Sequence, residues 1–456
     1  MRLRPVILAL AANSLLAQIA IEHVTIIDPR SNAVLTDHSV LIRGTEIERV
    51  APSSKIQPGP NYRRVDGTDR YLIPGLWDSH VHLTKAGDDS LALFLANGVT
   101  SVRDMGSDTA EVLQWRREIL AGQRPGPRIW TSGRILESKA NYDRQVSDGG
   151  VEPVERIRIG VGTPEEASQA VRRLAAGGVH HIKIRTVTSP GVFNALVSAA
   201  RRAKLALVGH PIGKPEEFVG RMKSVEHLIA YPPMDDLTRE QRSALFRQMR
   251  GKGTWISTTA VNLEGSILIP YERAAGLLAD TGRLDFRRRY VGGYLLADWR
   301  EQVEEKQLPD FDAIRKAVPG ALRDLAEAKE AGVKFLAGTD VGVVFMYAGF
   351  SLHDELRLYV SQLGFSPMEA LRAATHNPAE FYGIESRQGG IAPGQAADLV
   401  LLDANPLENV ANTRMIQSVV SAGRVWTRRL LDALLAETAK RVEELQEPGP
   451  RVSRPQ

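Results

Sequence analysis

The sequence predicts an α/β protein: a (β/α)8 TIM-like barrel with a small β-sandwich domain formed from both chain ends. Three observations predict it. From residue 72 onward, short apolar runs alternate with helical stretches, and eight such runs can be counted. Strand-like text flanks this region on both sides, before residue 72 and after residue 389. A chain of 456 residues is too long for one small domain and suits one large domain plus a smaller one.

The elements follow in chain order. Met1-Arg-Leu-Arg-Pro is basic, and residues 6–17 are mostly apolar before Gln18. Residues 1–18 therefore read as a signal peptide cleaved after Ala17, which would export the chain to the periplasm or the medium. The alternative is a packed or frayed N-terminus on a cytoplasmic protein. The run is too short to span a bilayer, and no other segment reads as a membrane anchor. Residues 19–71 form the first part of the small β domain. Residues 19–28 alternate and turn at Pro29-Arg-Ser-Asn, and 39–42 and 47–50 continue the pattern around Gly44.

Residues 72–384 carry the barrel. One run ends at His82; the others lie at 99–102, 128–131, 181–184, 205–208, 224–225, 255–257 and 333–337. Helical stretches separate several of them. The best marked opens at Thr163-Pro-Glu-Glu, with Thr163 as N-cap and Pro164 at the first helical position, and stops at Gly177. An open, doubly wound sheet would also satisfy such alternation. About 75 residues separate Ser257 from Val333, far beyond an ordinary connection. This Arg-, Leu- and Ala-rich stretch, 258–332, reads as a helical insertion capping the C-terminal face of the barrel. Residues 385–428 return to strand text and complete the β domain, and 429–456 are an amphipathic helix with a Pro- and Arg-rich tail.

Composition narrows the chemistry. A net charge of +4 spread over this length is a weak field, and no nucleic-acid-binding signature accompanies it. The absence of cysteine removes disulfides, thiolate metal sites and a cysteine nucleophile. No Gly-x-Ser-x-Gly motif supports a serine hydrolase.

What remains is a set of polar residues at the ends of apolar runs. His80 and His82 close the run Leu72-Ile-Pro-Gly-Leu-Trp-Asp-Ser-His-Val-His. Residues i and i+2 of a strand face the same way, so two imidazoles there can grip one metal ion. Lys183 sits in Ile182-Lys-Ile184, His210 ends one run, His227 another and Asp340 the last. All six fall at strand C-terminal ends, where barrel enzymes place their chemistry. Lys183 is the odd member, because unit charges about 4 Å apart repel by about 4 kcal/mol at an effective dielectric of about 20. One remedy is capture of CO2: the resulting carbamate is anionic and can bridge two metals. The other reading of Lys183 is a stem packed on the barrel with its head paired to a carboxylate.

These motifs resemble the amidohydrolase superfamily, in the branch of imidazolonepropionase-like proteins and Xaa-Pro or Xaa-Arg carboxypeptidases. The resemblance rests on Ile73-Pro-Gly-Leu-Trp-Asp-Ser-His-Val-His82, Ile182-Lys-Ile184, His210, Glu226-His227 and Gly338-Thr-Asp-Val-Gly342. Ala370-Leu-Arg-Ala-Ala-Thr-His-Asn-Pro-Ala379 and Ile391-Ala-Pro-Gly-Gln-Ala-Ala-Asp-Leu-Val-Leu-Leu-Asp403 extend it over nearly the whole chain. It implies that His80, His82 and Asp340 hold one metal, that His210 and His227 hold a second, and that carboxylated Lys183 bridges them. Zinc suits imidazole and carboxylate ligands best; manganese or iron would also fit. The implied reaction is hydrolysis of an amide, peptide-like or cyclic C–N bond by a metal-bound hydroxide, with Asp340 moving the proton.

The substrate is a small molecule, with no nucleic acid or stable membrane anchor expected and homo-oligomerisation left open. Arg185 and Tyr231 are the substrate-binding candidates, against a surface salt bridge and a loop-packing aromatic. The stretch Glu137-Ser-Lys-Ala-Asn-Tyr-Asp-Arg144 departs from the glycine- and histidine-rich loop of the dipeptidase members. A dipeptidase and a catalytically silent binding barrel are the rival readings. His180, His181 and His376 read as structural, and His353 as a residue that could support the site from behind.

Overall fold

The computed structural model describes residues 18–228, 234, 236–307 and 309–446. The leader 1–17 and Tyr231 lie outside the described residues. Gln18 already pairs with Arg43, so strand structure starts within the segment read as signal peptide.

Both chain ends build one eight-stranded sheet. Its order is Arg424–Thr427, Ile416–Ser421, Leu399–Leu402, Tyr71–Pro74, Gln18–Asp28, Ala33–Arg43 and Glu46–Pro52, with Arg63–Asp66 also paired to Gln18–Asp28. The two ends meet where Leu399–Leu402 runs antiparallel to Tyr71–Pro74. Leu399–Leu402 is apolar at every position because both its faces are covered. Leu399 and Leu401 pack with Ile19, Ile21, Val24 and Ile26, while Val400 and Leu402 join the large central core.

The rest of the β structure is parallel. The eight strands read from the sequence are β1 (Leu76–Val81), β2 (Val99–Asp104), β3 (Arg128–Thr131), β4 (His181–Arg185), β5 (Ala206–Gly209), β6 (Ser224–Glu226), β7 (Trp255–Ser257) and β8 (Phe335–Leu336). β1, β2 and β3 pair in order, and β4 to β8 pair in order within a second sheet. That second sheet carries two extra strands beyond β4, Ile135–Ser138 beside it and Arg158–Val161 at the edge. They lie where sequence reading saw only a connection, because the text around Glu137 and Ser138 is polar and lacks a strand period. β8 is only two residues long, shorter than the run at 333–337, since Gly338 and Thr339 turn away to reach β1.

Single backbone bonds link the two sheets. His180 N donates to Thr131 O (2.8 Å), Ser79 N to Ala337 O (2.8 Å) and Asp340 N to His80 O (2.7 Å). Gly338 makes the last approach feasible: a Cβ there would lie 2.8 Å from both the Cβ and the backbone N of His80.

The 258–332 segment is largely helical and lies against the loops that follow β1 and β8. Its helix α1 (Gly293–Glu304) places Asp298 3.2 Å from Lys85, just beyond His82. Gln302 of α1 donates to Gly342 O (3.2 Å) and accepts from Val344 N (2.9 Å). Among the described residues, no helix is long and apolar enough to cross a membrane.

Candidate metal centre

Three of the other five expected ligands, His80, His82 and His227, converge on Asp340. One carboxylate oxygen lies 3.2 Å from His82 Nε2 and 3.5 Å from His80 Nε2, and the other 3.7 Å from His227 Nε2. The His80 ring is 4.4 Å from that of His227 and 5.5 Å from that of His82. His210 completes the row, its ring 5.2 Å from His227. His80, His227 and Asp340 offer donor atoms within 4.8 Å of one another, close enough to hold one ion. This trio differs from the division implied by family resemblance, because His227 also reaches Asp340, through its second carboxylate oxygen.

The backbone is bent to achieve this. His227 (φ 54°) and Asp340 (φ 64°) sit in the left-handed region, at a cost of about 1–3 kcal/mol each. Bonds from His227 N to Ser257 O (3.1 Å) and from Asp340 N to His80 O hold them there. His210 depends on Gly209, at φ 137°, where a Cβ would lie 2.1 Å from Ile184 O. Only glycine lets β5 approach β4 so closely, which brings His210 N to Ile184 O (3.2 Å) and the imidazole beside Lys183.

The imidazoles are oriented from behind. His82 Nδ1 faces Gly106 O at 3.2 Å, and a carbonyl only accepts, so Nδ1 carries the proton and Nε2 keeps its lone pair toward Asp340. His80 Nδ1 faces Glu226 Oε2 (2.9 Å), with the same effect, and His227 Nδ1 faces Thr259 Oγ1 (2.6 Å). Glu226 is in turn fixed by Arg103 Nη2 (2.6 Å) and Ser224 Oγ (2.6 Å), and Arg103 also donates to Ser79 O. Asp78 accepts from Thr339 N (3.0 Å) and Thr339 Oγ1 (2.6 Å), tying the Asp340 loop to β1.

Electrostatics favour neutral imidazoles and an ionised carboxylate. Burial holds His80 and His210 well below the ordinary histidine range, and His227 down to about 4. Burial pushes Asp340 up, but the electrostatic attraction of His227 and His80 for its ionised form and the His82 bond outweigh it and hold it well below the usual carboxylate range. Burial brings Lys183 down to about 8, against the attraction of Glu226 and Asp340. Lys183 Nζ and His80 Nε2 are both buried without a hydrogen-bond partner among the described residues. Two unsatisfied buried nitrogens beside a lone-pair-bearing carboxylate are costly in an empty protein and match what a divalent cation needs.

The remaining expectations divide. Arg185 follows Lys183 by two residues, with a side chain about a third exposed, and its nearest carboxylate is Glu137 at 3.9 Å. Glu137 is already engaged by Arg158 (2.5 Å), Asn141 (2.9 Å) and Thr186. His353 lies elsewhere, bonded to Thr413 Oγ1 (2.9 Å) and Asn97 O (3.1 Å), and supports no ligand. His180 accepts from Thr131 N and His181 meets Tyr382 OH, both structural as expected. His376 opens the short helix His376–Tyr382. Sequence reading missed Arg103, Asp78, Glu226 and Thr259 as supports. Three of them left a signal: Asp78 precedes His80 by two residues, Glu226 precedes His227, and Arg103 interrupts an apolar strand.

Glu226→Gln is expected to loosen metal retention by about 10–100-fold, because the neutral amide removes the charge that His80 Nδ1 and Arg103 Nη2 both meet at Oε2. Competition with a colorimetric chelator measures it; retention equal to wild type would remove Glu226 from the site.

The chain is similar to several known proteins. The Amidohydrolase family model matches residues 290–426. Imidazolonepropionase of Rubrobacter xylanophilus is 24% identical over 397 residues, 81% of this chain and 86% of that protein. Ochratoxinase of Aspergillus niger is 24% identical over 434 residues, 88% of this chain and 82% of that protein. A solved structure from Bifidobacterium longum, described as a candidate prolidase, superposes with a TM-score of 0.70 at 26% identity, covering 93% of this chain and 99% of that one.

Proposed function

We propose that this chain, which belongs to the amidohydrolase superfamily, hydrolyses a C–N bond of a small amide, peptide-like or cyclic amide at a centre of two divalent metals. The observation that carries the reading is Asp340 lying within 3.2–3.7 Å of three imidazole nitrogens, in the field of a Lys183 amine that has no hydrogen-bond partner among the described residues. His80, His82, Asp340, His210 and His227 would hold the metals, zinc by ligand type, with a carbamate on Lys183 between them. Divalent cations there would lower the pKa of water and polarise the scissile carbonyl.

The protein's own residues do the rest. Asp340 takes a proton from the attacking water as the O–C bond forms, and delivers it to nitrogen as the C–N bond breaks. Burial keeps the imidazoles of His80, His210 and His227 neutral, so they do not compete for that proton. Arg185, with no carboxylate held tightly, would take an anionic group of the substrate, together with Tyr231. The linkages at Thr131, Ser79 and Asp340 support closure of β1 to β8 into a barrel of residues 72–384, with 258–332 as its cap. The terminal sheet, 19–71 with 385–428, would pack as a small sandwich. A basic, apolar leader supports export.

A second reading, a dipeptidase of the Xaa-Pro or Xaa-Arg type, is favoured by the likeness to the Bifidobacterium longum structure. One experiment separates them: metal analysis, then N-acyl amino acids, dipeptides and cyclic amides assayed with and without chelator. Chelator-sensitive turnover of any class, restored by metal, is expected. Turnover of dipeptides alone would favour the second reading. A metal-replete protein inert toward all three would be a silent binding barrel.

A further inference from the structure

We propose that Glu355 is a positioning residue for the His227 imidazole, acting through the strained turn that follows β7. The inference rests on the reading of His227 as a metal ligand.

Thr259 is the residue whose hydroxyl faces His227 Nδ1 at 2.6 Å. It has φ 46°, a left-handed conformation that a β-branched side chain rarely adopts. Something outside the turn must hold it, and one carboxyl group brackets it on both sides. Glu355, on helix α2 (Phe350–Ser361), bonds the Thr258 hydroxyl with one oxygen and accepts from Val261 N (2.6 Å) with the other. One turn along α2, Tyr359 OH lies 2.6 Å from Thr258 Oγ1 and donates to Leu336 O (3.2 Å). The turn is thereby tied to β8, the strand that leads to Asp340. The same turn brings Asn262 Nδ2 to Asp340 Oδ2 (3.4 Å), so a single staple serves two ligands.

The proton count is consistent with a neutral acid. Glu355 is fully buried, and burial pushes it up to about 8. With its proton in place, Glu355 donates to Thr258, Thr258 to Tyr359 and Tyr359 to the Leu336 carbonyl, while its second oxygen accepts from Val261 N. Each hydroxyl then donates once. Glutamine reproduces both bonds of the neutral acid, donating from its amide nitrogen and accepting at its oxygen; methionine reproduces neither.

The test is a double-mutant cycle read in metal retention against a chelator and in thermal midpoint. Glu355→Met and Thr259→Val should each loosen metal by about 10–100-fold. The double variant should be no worse than either alone, since the two act through one linkage. Glu355→Gln should retain metal like the wild type. Should Glu355→Met not fold, Thr258→Val takes its place in the cycle. Additive losses, or a lowered thermal midpoint with unchanged metal retention, would overturn the proposal and leave the metal centre standing. A wild-type protein that retains no metal would overturn both.

Discussion

Asp340→Asn is expected to lower turnover by about 10²–10⁴-fold at saturating metal, the usual worth of a general acid–base group. Asparagine keeps the shape and one oxygen donor but cannot accept the proton of the attacking water. It also presents N–H groups to nitrogens whose lone pairs already point at this position, those of His82 and His80. Weaker metal binding follows from the same change, so content and turnover must be read together. The neighbouring imidazoles hold Asp340 well below the usual carboxylate range, so the base form persists through neutral pH. A rate that falls in proportion to metal content alone would assign Asp340 to binding only. Near-normal turnover with intact metal would remove it from the chemistry altogether.

How much of this was legible in the sequence depends on how each residue is held. His80, His82, Lys183, His210, His227 and Asp340 stand at the ends of apolar runs, and a strand end is a place that period-2 reading can locate. The supporting groups are held by long-range contacts: Glu226 meets Arg103 across 123 residues, and Glu355 meets Thr258 across 97. No local period announces such pairs. The strand Ile135–Ser138 was missed for a related reason. Glu137 points inward to the buried Arg158, so a polar residue occupies a position that pattern reading reserves for an apolar one. The left-handed turns at His227, Thr259 and Asp340 were illegible because their residues are not glycine, and only the assembled site makes their strain tolerable. The terminal sheet was readable because Leu399–Leu402 is apolar throughout, a pattern that requires cover on both faces.

Lys183→Met is expected to reduce bound metal from about two ions per chain toward one, and to reduce turnover with it. The argument turns on what an amine does at this position. Glu226, whose charge attracts Lys183 most, is committed to Arg103, His80 and Ser224, and Lys183 Nζ has no hydrogen-bond partner among the described residues. An ammonium left in this state is poorly compensated, and cations beside it would make it worse. Burial brings the amine down to about 8, so the neutral, nucleophilic form is much more accessible near neutral pH than in an ordinary lysine. Attack of that lone pair on CO2 forms an N–C bond as one C–O π pair moves onto oxygen, and releases one proton; with the proton the ammonium gives up beforehand, two protons leave and a cation becomes an anion. Protein loaded from ¹³C-bicarbonate should therefore show a carbamate carbonyl resonance that is absent from Lys183→Met. If the substitution left metal stoichiometry unchanged and the wild type gave no such resonance, Lys183 would be a packed stem and the centre would have to assemble without an anionic bridge.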